Sequence, residues 1–192
     1  MKKYEEEHYQ YENIRKSVYP MIKSRLYDGK ALNGKFLSEK DTVVIRFAGE
    51  LMIIFAVRRS EEVYEILKDS MLPPGVDVEE LYREACENLV RDVEFVIANT
   101  WYGAFGMLAD GMYEASSLCF KHIWQVCVDK LKDDLIIMVP TKDTVRFAPA
   151  GAKDVIDKME EEIRELYENT REKITMQKFL FSKTRKELAV YE

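Results

Sequence analysis

Residues capable of chemistry are thinly spread along this chain. It carries two histidines, His8 and His122, and three cysteines, Cys86, Cys119 and Cys127. His122 follows Cys119 by three positions, so on a helix both side chains share one face, a spacing that would allow a thiolate–imidazole dyad or a pair of metal ligands. Cys119 nevertheless stands beside Leu118 and Ile123 on an apolar stripe, whereas a reactive thiol needs partial exposure and a positive setting. A packed thiol beside a half-buried imidazole is the expectation. Cys127 lies too far round the helix to join them, and the set lacks the ligands and spacing of structural zinc, so no metal site is expected. With no CxxC pair and an odd count, the cysteines read as reduced core thiols.

The stretch Gly29-Lys30-Ala31-Leu32-Asn33-Gly34-Lys35-Phe36 matches the phosphate-loop spacing GxxxxGK up to its last position. There the pattern fails, because Phe36 stands where a hydroxyl must reach magnesium, and the order of helix and strand around it is reversed. Ser116 and Ser117 lack the GxSxG elbow that exposes a nucleophile. Glu5-Glu6-Glu7 and Glu160-Glu161-Glu162 read as solvent-facing helix surface. Four residues remain as candidates for a small enzyme: Asp143 and Lys142 in a hairpin loop, with Glu114 or Asn88 brought to them by folding. Convergence in one concave pocket would favour catalysis, and dispersal would remove it. Trp101, with Tyr102 at a loop tip, is the candidate for a contact surface, although folding of the aromatics back onto the sheet is the expected outcome. No cofactor is expected.

The bulk properties set limits on partners. The chain has 192 residues, 47% apolar and 33% charged, with 8 Gly and 5 Pro, which suits one domain with a real core rather than a disordered chain. A net charge of −6 opposes any general coating of nucleic acid, since that affinity comes from neutralising phosphates. Weak contact through the basic C-terminal stretch of Arg171, Lys173, Lys178, Lys183, Arg185 and Lys186 stays open, against the plainer reading that its lysines guard a sheet edge. The acidic start and the absence of a long apolar run predict a cytoplasmic protein without a membrane span.

The elements that must position these residues follow from periodicity. Helical spacing predicts a helix over about Tyr4 to Leu26, bent or interrupted at Pro20. Thr42 to Phe47 and Leu51 to Val57 read as a hairpin, and Ser60 to Leu67 is open between helix and strand. After Pro73-Pro74-Gly75, Asp77 and Glu80 resemble a capping box opening a helix to about Val90. Strands are predicted at Val93 to Ala98 and Gly103 to Ala109, then a helix over Tyr113 to Leu131. Leu135 to Val139 and Thr144 to Ala148 flank Pro140-Thr141-Lys142-Asp143, a composition suited to a tight hairpin. A helix over Ala152 to Tyr167, with Asp154/Lys158 and Glu160/Arg164 spaced for ion pairs, precedes short strands at Phe179 to Phe181 and Leu188 to Tyr191. Hairpins interleaved with packing helices predict a single layered α+β domain over 1–192, built on an antiparallel or mixed sheet, with the helix of 1–27 packing on it or extending from it.

Three segments together resemble the YtpQ-like bacterial family, a domain of unknown function: Leu81-Tyr82-Arg83-Glu84-Ala85-Cys86-Glu87-Asn88-Leu89, Gly111-Met112-Tyr113-Glu114-Ala115-Ser116 and Val139-Pro140-Thr141-Lys142-Asp143-Thr144-Val145. The resemblance spans about Pro20 to Tyr191 and departs inside the hairpin, where Thr141 and Lys142 replace the family's Asn and Arg. It implies a bacterial-type α+β fold and brings no activity. The reading that remains is a non-enzymatic binding or protein-interaction domain, homodimeric or with a protein partner, with the small enzyme as its rival.

Overall fold

The computed structural model describes residues 11–24, 31–32, 35–36, 41–61 and 63–192. The fold is α+β, with antiparallel sheets as its frame. The first sheet runs β1-β5-β4, where β1 is Val18–Ser24, β4 is Ile45–Arg46 and β5 is Leu51–Arg58, and β6 (Tyr64–Ile66) also pairs with β5. The second runs β12-β11-β9-β10-β8-β7, made of β7 (Val96–Asn99), β8 (Phe105–Leu108), β9 (Leu135–Thr141), β10 (Thr144–Pro149), β11 (Lys178–Phe181) and β12 (Leu188–Val190). The short strands β2 (Ala31–Leu32) and β3 (Lys35–Phe36) form a ribbon of their own. Among the described residues the long helices are α1 (Val78–Asp92), α2 (Lys121–Leu131) and α3 (Lys153–Asn169).

The predicted N-terminal helix is the main correction. Residues 11–14 are helical and Arg15–Ser17 continue as a 3₁₀ turn, but Val18–Ser24 is a strand paired along its whole length with β5, from Val18 against Val57 to Ser24 against Leu51. Every residue of β1 is buried, so both of its faces are covered. Such a strand loses the alternation that marks a half-buried one, and its apolar run mimics a helix stripe. Pro20 fits because, among the described residues, β1 lies at the end of its sheet, the position where a strand tolerates proline. Residues 4–10, and with them His8 and the Glu5 to Glu7 run, lie outside the described residues. The same holds for half of the Gly29 to Phe36 segment, residues 29, 30, 33 and 34.

Elsewhere the local rules hold. Asp77 caps α1 by accepting from the Glu79 amide at 3.1 Å, while Glu80 turns to Arg83 at 3.7 Å rather than back to the cap. Residues 64–66 resolve as a strand, the alternative left open between helix and sheet. The hairpin of β9 and β10 forms as composed, although its register shifts between Thr144 and Arg146. The helix expected over Tyr113 to Leu131 divides into a 3₁₀ turn, Ala115–Cys119, and α2. Side-chain bonds explain the break, since Ser116 donates to the Pro20 carbonyl at 2.8 Å and Trp124 Nε1 to the Ser117 carbonyl at 3.0 Å.

The core joins both sheets. Ile22, Leu51 and Ile53 of the first pack with Met107, Leu135, Ile137, Phe147 and Phe179 of the second, and Trp124 of α2 sets its ring edge against Phe147 at 5.2 Å. On the far face of the second sheet, Met159 and Ile163 of α3 cover Ile136, Met138 and Ala148. No helix among the described residues is long and apolar enough to cross a membrane.

Candidate functional site

The hairpin loop holds part of the expected cluster. Asp143 Oδ1 accepts from Thr141 Oγ1 at 2.6 Å and Thr144 Oγ1 at 3.4 Å, so this carboxylate closes its own turn. Lys142 Nζ lies 3.2 Å from Glu172 and 3.5 Å from the Gly111 carbonyl. Its own carbonyl accepts from the Ala115 amide at 2.9 Å, which brings Glu114 alongside. Glu114 is buried and staples the turn before it, one oxygen accepting from the amides of Ala109 at 3.1 Å and Gly111 at 2.8 Å. Nearby, Lys23 of β1 is only 6% exposed. Burial holds its amine down to about 8 from an ordinary 10.5, Glu172 working against that shift and Lys142 with it.

Asn88 does not join this corner. Its amide donates to the carbonyls of Arg15 at 2.8 Å and Val18 at 3.0 Å, and its oxygen accepts from Arg91 at 3.0 Å. It therefore ties α1 to the start of β1. The two clefts beside Tyr82, and a third beside Arg15, are lined by none of Asn88, Glu114, Lys142 and Asp143. Lys142 and Glu114 are brought together, Asp143 is spent within its turn, and Asn88 stands apart.

Trp101 has a different setting. The β7–β8 turn is fixed by the Thr100 amide donating to the Ala104 carbonyl at 2.8 Å and by Gly103 at φ +95°, a conformation only glycine adopts without strain. Within it the two aromatics part. Tyr102 folds inward to 8% exposure, and its hydroxyl donates to Glu162 of α3, which also receives Arg146 of β10 at 3.3 Å. Burial and that carboxylate push the Tyr102 phenol up to about 12. Trp101 stays 89% exposed, its ring set edge to face with that of Tyr102 at 5.4 Å. The expected return of the loop aromatics to the sheet thus holds for Tyr102 and fails for Trp101.

Beside this turn runs β7, the last strand of its sheet. It pairs with β8 on one side, Val96 opposite Leu108 and Ile97 opposite Met107. Among the described residues no strand pairs with its other side. Val96, Ile97 and Leu108 are each exposed by more than two-fifths, and the strand Val-Ile-Ala-Asn carries no charge or proline. The opposite edge differs. Near β12, Lys178 pairs with Glu160 at 2.6 Å, Lys186 with Asp129 at 2.7 Å and Arg185 with Glu187 at 3.8 Å. Lys183 donates to the Lys132 carbonyl and Lys173 lies over the Tyr167 ring. The basic C-terminal stretch is therefore largely committed to the protein's own partners.

Cys119 and His122 also part company. His122 is exposed at the start of α2 against Phe120, whereas the Cys119 thiol meets Cys86 and Tyr82. Among the described residues no group of His, Cys, Asp or Glu could hold a metal ion. The residues missed from sequence are Val96, Ile97, Glu162 and Lys23. An uncharged terminal strand beside a Trp-Tyr-Gly turn is the signal that could have found the first two. No family model, curated protein or solved structure matches the chain.

Proposed function

We propose that this protein is a non-enzymatic interaction domain that pairs the free edge of β7 with β7 of a second copy, using Trp101 as its principal contact. The observation that carries the reading is an unguarded edge beside a rigidly presented, almost fully exposed tryptophan. Natural sheets blunt an exposed edge with charge, proline, a bulge or a cover, and β7 has none of the first two within it. Antiparallel pairing of Val96–Asn99 with itself brings no like charges together, and it continues the sheet across a two-fold axis. Tryptophan supplies large contact area at small entropic cost, and a turn held by Tyr102, Glu162 and Arg146 spares the cost of ordering it on binding.

The small-enzyme alternative loses support because Asp143 and Asn88 are used in holding the fold. Nucleic-acid contact loses support because most of the basic stretch is already paired. The YtpQ-like resemblance and a cytoplasmic setting belong to this proposal too. Asn88 and Asp143, two residues that carry the resemblance, serve the fold rather than a reaction, which suits a family likeness without an activity. Native mass spectrometry of the full chain tests the reading. A dimer that becomes a monomer in Ile97→Lys supports it, and a wild-type monomer at micromolar concentration rejects it.

A further inference from the structure

Two cysteines line one cleft that the interaction reading does not use: we propose that Cys86 and Cys119 are a modification site, oxidised to an intramolecular disulfide by hydroperoxides. Cys86 lies on α1 and Cys119 ends the 3₁₀ turn before α2. Tyr82 lines the cleft with them, its hydroxyl donating to the Cys119 carbonyl at 3.4 Å, and each thiol lies within electrostatic reach of the other. Both residues are partly exposed where Cys127 is buried, the Cys119 thiol being the more deeply set. Their shared cleft is open, about 580 Å³ in volume, and its rim carries Arg83, Glu87 and Arg91, while Cys119 also lines a second cleft of about 430 Å³. Small oxidants can therefore reach the pair from solvent.

The setting assigns the roles. The neighbouring Cys119, with Tyr82 beside it, draws the Cys86 thiol below the ordinary value against the opposing effects of burial and of the Glu87 carboxylate. Cys119, beside Cys86 and more deeply set, is held well above it. Cys86, the less deeply set of the two, is the nucleophile and Cys119 the resolving partner. In the first step the Cys86 thiolate attacks the outer oxygen of the hydroperoxide. The O–O bond breaks, a sulfenic acid forms on Cys86, and the alkoxide leaves and takes a proton. In the second, the Cys119 sulfur attacks the Cys86 sulfur. The S–O bond breaks, the S–S bond forms, and the hydroxyl leaves with the Cys119 proton as water. In sum, two thiols and one hydroperoxide give one disulfide, one alcohol (water, for hydrogen peroxide) and one water, the thiols supplying both electrons.

The test uses the reduced full chain treated with hydrogen peroxide and read by intact mass and non-reducing peptide mapping. The expected product is a chain lighter by about 2 Da, the two thiol hydrogens, with one Cys86–Cys119 crosslink that dithiothreitol reverses. In Cys119→Ser, dimedone should label Cys86. A protein that keeps both thiols free, is oxidised past the sulfenic acid without crosslinking, or bridges through Cys127 overturns the proposal. Should Cys119→Ser fail to fold, the wild-type peptide map decides alone. The crosslink should form equally in Ile97→Lys, so its failure and that of the β7 dimer are read separately.

Discussion

Lys23 carries an amine in a setting that disfavours its charge. Below pH 8 the folded protein holds a buried ammonium, and a pKa lowered from 10.5 to about 8 corresponds to up to about 3 kcal/mol of lost stability. Between those two values the unfolded chain keeps the proton that the folded chain has released, so stability rises with pH across that window. Lys23→Met should accordingly be more stable than wild type at pH 7, and its advantage should shrink as the pH passes 8 and approaches 10.5. Denaturant melts at pH 7 and pH 10 check this, and an equal gain at both would contradict it. Tyr102 works in the other direction, as a residue satisfied by its surroundings. Tyr102→Phe removes one bond to Glu162 but leaves Arg146 there. A loss of about 1 kcal/mol in thermal stability is expected, together with weaker dimerisation as the Trp101 turn loosens, measurable by analytical ultracentrifugation.

At the scale of elements, the same residues show what sequence could and could not tell. The hairpin of β9 and β10, helix α3 and the Asp77 cap were legible because each is specified by neighbours in the chain, through turn chemistry, helical spacing or a side chain reaching two residues on. Strand β1 was not, because its meaning lies in β5 and in the layers covering both faces. Nor could Glu160 and Glu162 be separated from solvent-facing charge, since their partners Lys178, Arg146 and Tyr102 come from other elements. Of the candidate residues, Trp101 kept a binding role, while Asn88 became the bond between α1 and β1. Asn88→Ala strands the buried carbonyl of Val18 and the half-buried one of Arg15, and should cost about 2 kcal/mol in urea denaturation while leaving the oligomeric state unchanged. Asp77→Ala should cost about 1 kcal/mol by the same measurement.

At the scale of the whole molecule, two sheets share one core and end in edges of opposite character. Paired charges surround β12, and its surroundings read as a finished surface. Among the described residues no strand pairs with the outer edge of β7, which presents apolar side chains next to Trp101 and suits half of an interface. Trp101→Ala should leave the melt of the monomer unchanged, because the ring is 89% exposed, yet weaken self-association at least tenfold, about 1.4 kcal/mol. Isothermal dilution calorimetry resolves the two effects. Everything in this account turns on what the β7 edge meets, and the mass of the native particle answers that directly. The expected result is twice the 22.6 kDa of one chain for wild type and a single chain for Ile97→Lys, whereas a wild-type monomer, or a dimer that Ile97→Lys leaves intact, would contradict it.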